Sequence, residues 1–282
     1  MKLRLGGVPE HFNYMWHLPT TREVLRNYGI YFEWGDYAGG TGAMVQALEL
    51  DELDMAIVLT EGAISAIASG KPLEIMFPFV MSPLIWGIFS KNKRQNSLPD
   101  SYSKSKFAVS RMQSGSHLMA LFLAQRFNEE LNDSNFIICN NLDGARNKIK
   151  SEEADYFLWE KYMTQPMVQN GEFVELGQVS APWPAFVFVR KKSNPIPEME
   201  LWKQAVYEFT SDYLNLNKSD IIQGICKEFQ LQESDAKNWL ADVKYYDNND
   251  YWKDRLMAAV IIMHSKGMIS TRPSLRELTN GV

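Results

Sequence analysis

The stretch DMAIVLTEGAIS, residues 54–65, decides the fold because it joins a buried strand to the start of a helix. Residues 54–60 are mostly apolar and short, which is typical of a strand buried on both faces of a parallel sheet. Glu61 follows at once, and a helical pattern then runs to Gly70. Since ligands of open α/β sheets bind outside the carboxyl ends of the strands, Glu61 is a candidate ligand-binding residue.

The same alternation of strand and helix occurs twice along the chain. The first set of predicted strands is 3–8, 31–37, 54–60 and 73–80, with helices at 18–29, 43–53 and 61–70. The second set has strands at 106–110, 135–139 and 154–159, with helices at 114–131 and 142–153. This order predicts an α/β protein with two sheets and right-handed crossovers.

Two extended, apolar segments marked by prolines join the predicted lobes, at residues 81–90 and 180–191. We expect them to act as hinge strands. The remaining chain is helical, with one stripe on Trp202, Val206, Phe209 and Tyr213 and another within 252–267. We therefore predict lobe 1 at residues 1–85, with 188–282 returning to it, lobe 2 at 86–187, and a ligand cleft between them.

Composition excludes several classes of partner. The 282 residues carry a formal net charge of −5 with a pI near 5.5, which disfavours nucleic acid. The basic stretch KNKR at 91–94 is short and is interpreted as a solvated turn. Apolar runs are broken by prolines and fall short of the ~20 residues of a membrane helix, so no membrane insertion is expected.

Cysteine usage and the amino-terminal residues bear on location. Cys139 and Cys226 are far apart, which predicts neither a disulfide framework nor a metal site, and no cofactor is predicted. The opening MKLRLGGV lacks the apolar core of a secretory signal. We expect a cytoplasmic protein, or a periplasmic or lipid-anchored one if a signal segment has been removed.

Four loops at predicted strand ends carry the candidate binding groups. They lie at 8–12, 37–42, 59–62 and 110–117, and supply Glu10, Gly40, Thr41, Thr60, Glu61, Ser114, Gly115, Ser116 and His117. The glycine-bearing loops precede helices, whose free N–H groups favour an anion or an acceptor. Neither loop fits a P-loop or a dinucleotide fingerprint. Each can also be explained by ordinary capping, worth ~1 kcal/mol.

Tryptophans beside carboxylates add a second kind of site. Trp159 and Glu160 follow the strand 154–159, and the pair suits a flat or cationic nitrogen compound. The alternative is that Trp159 packs beneath a helix. Trp183 can line the cleft or brace the hinge segment.

Signals for catalysis are few. His11 and His17 are six residues apart, which is not the spacing of a helical metal pair, and His117 could bind a ligand or titrate. No motif for a hydrolase nucleophile or a zinc protease is present. Any catalysis would depend on Glu61, Glu160, Glu10 or a histidine.

Four stretches carry a resemblance to a known family: GGTGAMVQALELDELDMAIVLTEGA, SPLIWGI, DYFLWEKYMTQPMV and PWPAFVF. The chain resembles type 2 periplasmic-binding proteins, the branch with the nitrate, sulfonate and thiamine-pyrimidine-precursor binding proteins. It is most similar to a subfamily of fungi and bacteria that often lacks a signal peptide. The resemblance covers at least residues 1–190.

The resemblance implies a clamp that closes over a small molecule between two lobes. By position, it implies ligand contacts at Thr41, Thr60, Glu61, Trp86, Ser114–His117, Trp159 and Glu160. The solute expected is small and nitrogen-containing or zwitterionic, and an ABC-transporter membrane component is the implied partner. A cytoplasmic enzyme on this fold, like those of pyrimidine synthesis or the menaquinone pathway, is the alternative. The iron-binding cysteine motif of the pyrimidine synthases is missing.

Overall fold

Alternating strands and helices build two separate units in the computed structural model, which describes residues 2–91, 102–194, 196 and 198–279. Apart from Lys91, the stretch 91–94 lies outside these residues. One unit comprises Met1–Pro83 and Pro182–Val282, and the other comprises Leu84–Ala181. The boundaries predicted after residues 85 and 187 fall two and six residues later than these.

The sheet of the first unit is mixed. Its strands are β1 (Lys2–Gly7), β2 (Tyr31–Asp36), β3 (Met55–Leu59), β4 (Leu73–Val80) and β10 (Phe186–Lys191). In the described residues they have the order β2-β1-β3-β10-β4. β1 runs parallel to β2 and β3, whereas β10 runs antiparallel to both β3 and β4.

The sheet of the second unit repeats this arrangement. Its strands are β5 (Ile85–Lys91), β6 (Phe107–Val109), β7 (Phe136–Ile138), β8 (Tyr156–Glu160) and β9 (Phe173–Ser180). The order in the described part of the chain is β7-β6-β8-β5-β9. β6 is parallel to β7 and β8, and β5 is antiparallel to β8 and β9. Two mixed sheets with flanking helices confirm the predicted α/β class.

Helices connect and cover the strands. Their bounds are α1 (Pro19–Asn27), α2 (Gly40–Glu49), α3 (Thr60–Ala68), α4 (Gly115–Arg126), α5 (Leu142–Lys150), α6 (Lys161–Gln169), α7 (Met199–Asn215), α8 (Lys218–Phe229), α9 (Glu233–Asp242), α10 (Trp252–Ser265) and α11 (Leu275–Thr279). A short 3-10 helix, His11–His17, follows β1.

Each unit has its own aromatic core. Trp16, from the 3-10 helix, stacks on Trp202 of α7 and meets Phe188 of β10 edge-on. The predicted stripe on α7 is buried along its whole length. In the second unit, Phe89, Phe157 and Phe173 form a buried cluster with smaller apolar residues, among them Ala145 and Ile149 of α5.

Candidate functional site

Four segments of the first unit meet at one edge of its sheet. The carboxyl ends of the parallel strands β1, β2 and β3 lie there, and the antiparallel strand β10 begins there. The predicted residues of this unit at that edge are Glu10, Gly40, Thr41, Thr60, Glu61 and Trp183. We call it the first edge.

Glu61 is the buried carboxylate of the first edge. It lies in the first turn of α3 with only 3% of its surface exposed. Its Oε2 accepts a hydrogen bond from the indole Nε1 of Trp183 at 3.0 Å, and that indole is 2% exposed. A carboxyl group is costly to bury unless hydrogen-bond donors or positive charges face it, and the Trp183 indole supplies one such donor.

Thr60 attaches the segment before β10 to the start of α3. Its Oγ1 donates to the carbonyl oxygen of Pro184 at 2.5 Å, and its backbone N–H donates to the carbonyl oxygen of Ala185 at 3.1 Å. Trp183 therefore lies in a segment that is hydrogen-bonded to Thr60, the residue before Glu61.

Thr41 and Gly62 bring α2 and α3 close together. The Oγ1 of Thr41 accepts the backbone N–H of Leu59 at 3.2 Å, at the end of β3. A Cβ added to Gly62 would lie 2.6 Å from the Cγ2 of Thr41, so only glycine permits this approach. Gly40 has a φ of +65°, a left-handed conformation that also favours glycine.

Glu10 follows β1 and has a strongly perturbed acidity. Surrounding protein desolvates its carboxyl group and raises the pKa to about 7, although solvent still reaches part of the side chain. The next residue, His11, is fully buried against Phe12 and Trp239, and burial lowers its pKa to about 3. Its ring serves the core of the unit as a neutral aromatic group.

The second unit has a matching edge, which we call the second edge. The carboxyl ends of β6, β7 and β8 lie there, and β5 begins there. The predicted residues at that edge are Trp86, Ser114, Gly115, Ser116, His117, Trp159 and Glu160.

Hydrogen bonds within the loop after β6 hold the serines of the second edge. Ser114 caps α4, and its Oγ also donates to the carbonyl oxygen of Arg111 at 2.7 Å. The Oγ of Ser116 accepts the backbone N–H of Ser110 at 3.0 Å and lies 3.0 Å from that of Ser114. The capping interpretation thus describes Ser114, whereas the hydroxyl group of Ser116 joins the first turn of α4 to the end of β6.

His117 is held as a neutral ring. Its Nδ1 accepts the backbone N–H of Gln113 at 3.0 Å, and its ring meets Phe136 edge-on at 4.3 Å. Burial lowers its pKa to about 4, and the charge of Asp133 offsets only part of this shift. The ring is therefore uncharged at neutral pH.

Glu160 and Trp86 form the acid and aromatic pair of the second edge. They are direct neighbours across β8 and β5, and both are almost fully buried. The Oε2 of Glu160 accepts the backbone N–H of Met163 at 2.7 Å, which caps α6. Trp159 belongs to β8 itself and packs, half-buried, against the cluster around Phe157. That contact matches the packing alternative, and a role in binding stays a prediction.

The two edges share one pattern. Glu61 lies in the first turn of the helix after β3, and Trp183 precedes the antiparallel neighbour β10. Glu160 caps the helix after β8, and Trp86 lies near the start of the antiparallel neighbour β5. Sequence reasoning did not reveal this correspondence because strand order depends on long-range pairing. Asn140, an exposed left-handed residue between β7 and the Asn141 cap of α5, also lies at the second edge and is not among the predicted residues.

Two cavities of the first unit lie away from the first edge. One of about 580 Å³ lies between α8 and α9, beside Cys226, and one of about 500 Å³ lies between α1 and α7.

Among the described residues, no group of three or more His, Cys, Asp or Glu side chains could hold a metal ion. No helix in the described ranges is long and apolar enough to span a membrane.

Comparison with solved structures decides the fold. A protein of Candida albicans, the CA3427 gene product, is described as defining a new family with the generic periplasmic-binding-protein fold. It superposes with a TM-score of 0.86 at 22% identity, over 98% of this chain and 93% of its own. The chain has the type 2 periplasmic-binding-protein fold. The family model of the Ca3427-like periplasmic binding proteins matches residues 86–179, within the second unit.

Binding proteins of two further kinds share this fold. The alkanesulfonate-binding protein SsuA of Xanthomonas axonopodis pv. citri, bound to MOPS, has a TM-score of 0.82 at 12% identity, covering 99% of this chain and 97% of its own. The periplasmic nitrate-binding protein NrtA of Synechocystis has a TM-score of 0.78 at 14% identity, covering 100% and 85%. A comparison with curated proteins finds no match.

Proposed function

We propose that the protein reversibly binds a small nitrogen-containing or zwitterionic solute with groups from both edges. The single observation that carries the proposal is the buried Glu61 carboxylate at the end of β3, hydrogen-bonded to the Trp183 indole. A buried acid at the carboxyl end of a sheet favours a partner that brings N–H groups or a positive charge.

The second edge supports the same chemistry. Glu160 provides a second buried carboxylate, and the neighbouring ring of Trp86 offers a face that attracts cations. The backbone N–H groups at the start of α4 suit the acceptor or anionic part of a zwitterion. A solute that contacts both edges would favour closure of the two units by a hinge motion.

Charge separates the expected solute from those of the structural relatives. Sulfonate and nitrate are anions, and like charges at short range in a poorly solvated site repel one another. Two buried carboxylates therefore favour a solute with a cationic or N–H-bearing part over a simple anion. A membrane component of an ABC transporter is the protein partner that we propose for a binding protein of this kind.

A thermal-shift screen tests the proposal. The panel holds amines, amino acids, pyrimidines, sulfonates and nitrate, each added at increasing concentration. A solute at ~100 times its dissociation constant stabilises the folded state by ~2.7 kcal/mol, which is readily measured. We expect hits among the nitrogen-bearing compounds, recovered unchanged afterwards. Hits confined to sulfonates and nitrate, or a compound consumed during incubation, would contradict the proposal.

A further inference from the structure

We propose that Trp183 is a positioning residue: its indole N–H holds the Glu61 carboxylate in place and thereby sets the preference of the first edge for a positively charged solute. This inference rests on the proposed function, which places Glu61 against the solute. It assigns Trp183 an action through Glu61 rather than a ligand contact of its own.

The geometry of the bond carries the first step. Nε1 and Oε2 are 3.0 Å apart, and both side chains are almost fully buried. This distance is that of an ordinary N–H···O hydrogen bond, and such a bond is electrostatically stronger where water is excluded. A donor fixed in this place favours one orientation of the carboxylate.

The attachment of Trp183 carries the second step. Its neighbours in sequence, Pro182 and Pro184, restrict the backbone on both sides. Thr60 bonds to the carbonyl oxygens of Pro184 and Ala185. The indole therefore approaches Glu61 from a segment already fixed to the helix that carries Glu61.

Other tryptophans show that the bond is a specific feature. Trp16, Trp202, Trp239 and Trp252 are buried, and the N–H of each has no hydrogen-bond partner among the described residues. At these positions the indole serves as apolar volume. Trp183 is instead directed at a buried acid, and Trp252, which is also 2% exposed, provides a matched control.

The first test needs no ligand. The indole N–H resonance of Trp183 is identified in a nitrogen-15 NMR spectrum by its loss in Trp183→Phe. We expect it to move upfield in Glu61→Gln, because a neutral acceptor replaces a charged one. Glu33→Gln removes an exposed charge from the same unit and should leave the resonance in place. An unchanged chemical shift of the Trp183 resonance in Glu61→Gln would overturn the inference.

The second test measures charge preference. The probes are choline and dimethylbutanol, the alcohol in which a carbon replaces the choline nitrogen. We expect wild-type protein to prefer choline, and Trp183→Phe to lower its affinity about tenfold, with little change for dimethylbutanol. Trp252→Phe should retain the wild-type preference. The double variant Trp183→Phe/Glu61→Gln should equal Glu61→Gln alone, because the charge through which Trp183 acts is already absent.

The outcomes separate the two proposals. If Glu61→Gln abolishes the choline preference and Trp183→Phe preserves it, Trp183 does not position the acid and the inference fails alone. If Glu61→Gln leaves the preference intact, or wild-type protein shows none, the proposed function of Glu61 fails and the inference falls with it.

Discussion

Glu61 is the residue on which the functional proposal depends most. Its burial at 3% exposure and its bond to Trp183 follow from contacts more than one hundred residues apart in sequence. The sequence alone indicated an acid at a strand end, and it left Trp183 undecided between lining a cleft and bracing a strand. The bond favours the bracing interpretation.

Replacing Glu61 by Gln should weaken binding of a cationic solute about tenfold or more, because hydrogen bonds to charged groups contribute ~1.5–3 kcal/mol. Titration calorimetry with a hit from the screen measures this change. Glu33→Gln is the control, since it alters net charge equally at an exposed position of the same unit. Equal losses in both variants would indicate a general charge effect and would reject a specific role for Glu61.

Glu160 should reveal separate structural and binding roles. In Glu160→Ala, α6 loses the acceptor for the Met163 N–H, and the free energy of unfolding should fall by ~1 kcal/mol. Glu160→Gln retains a side-chain oxygen and should keep most of that stability while it loses cation affinity. Urea unfolding and calorimetry on both variants measure the two effects. If Glu160→Gln binds like wild type, Glu160 is only a cap.

At the scale of elements, local patterns predicted most strands and helices, and pairing decided the rest. The strand predicted at 73–80 matches β4 residue for residue, because turn-forming residues precede and follow it and all of its residues are buried. The helix predicted to end at residue 131 stops at Arg126, where Asn128 adopts a left-handed conformation. β9 went unpredicted, since its partly exposed residues lack a clear alternation.

The contact between α2 and α3 should depend on the absence of a side chain at Gly62. Gly62→Ala would force a Cβ against the Cγ2 of Thr41, and overpacking of this kind costs ~1–3 kcal/mol. Thr41→Ser removes Cγ2 and keeps the Oγ1 that accepts the Leu59 N–H. Unfolding in urea should therefore show Gly62→Ala destabilised and the double variant largely restored. A double variant no more stable than Gly62→Ala would contradict this account of the glycine.

At the scale of the whole molecule, buried groups should make stability depend on pH in opposite directions. The pKa values of His11 and His117 are lowered from 6.5 to about 3 and about 4, so both rings stay neutral when folded. Their contribution to the free energy of unfolding is complete above pH 6.5 and is lost as the pH falls towards those two pKa values. Glu10 has a raised pKa of about 7, so its contribution is complete below 4.5 and is lost as pH rises through 7.

Variants should separate these contributions between pH 4.5 and 6.5. His117→Gln removes a titrating ring and should flatten the rise of stability with pH, whereas Glu10→Gln should make that rise steeper. Urea unfolding of each variant at several pH values measures the slopes. Parallel curves for wild type and both variants would show that these groups do not titrate as their burial requires.

The measurement that tests the central claim most directly is a calorimetric titration of the strongest screening hit, followed by mass spectrometry of the recovered compound. We predict one molecule bound per chain, a nitrogen-bearing compound recovered unchanged, and weakened binding in both Glu61→Gln and Glu160→Gln. A chemically altered compound, or wild-type affinity in both variants, would contradict a solute-binding role for the two edges.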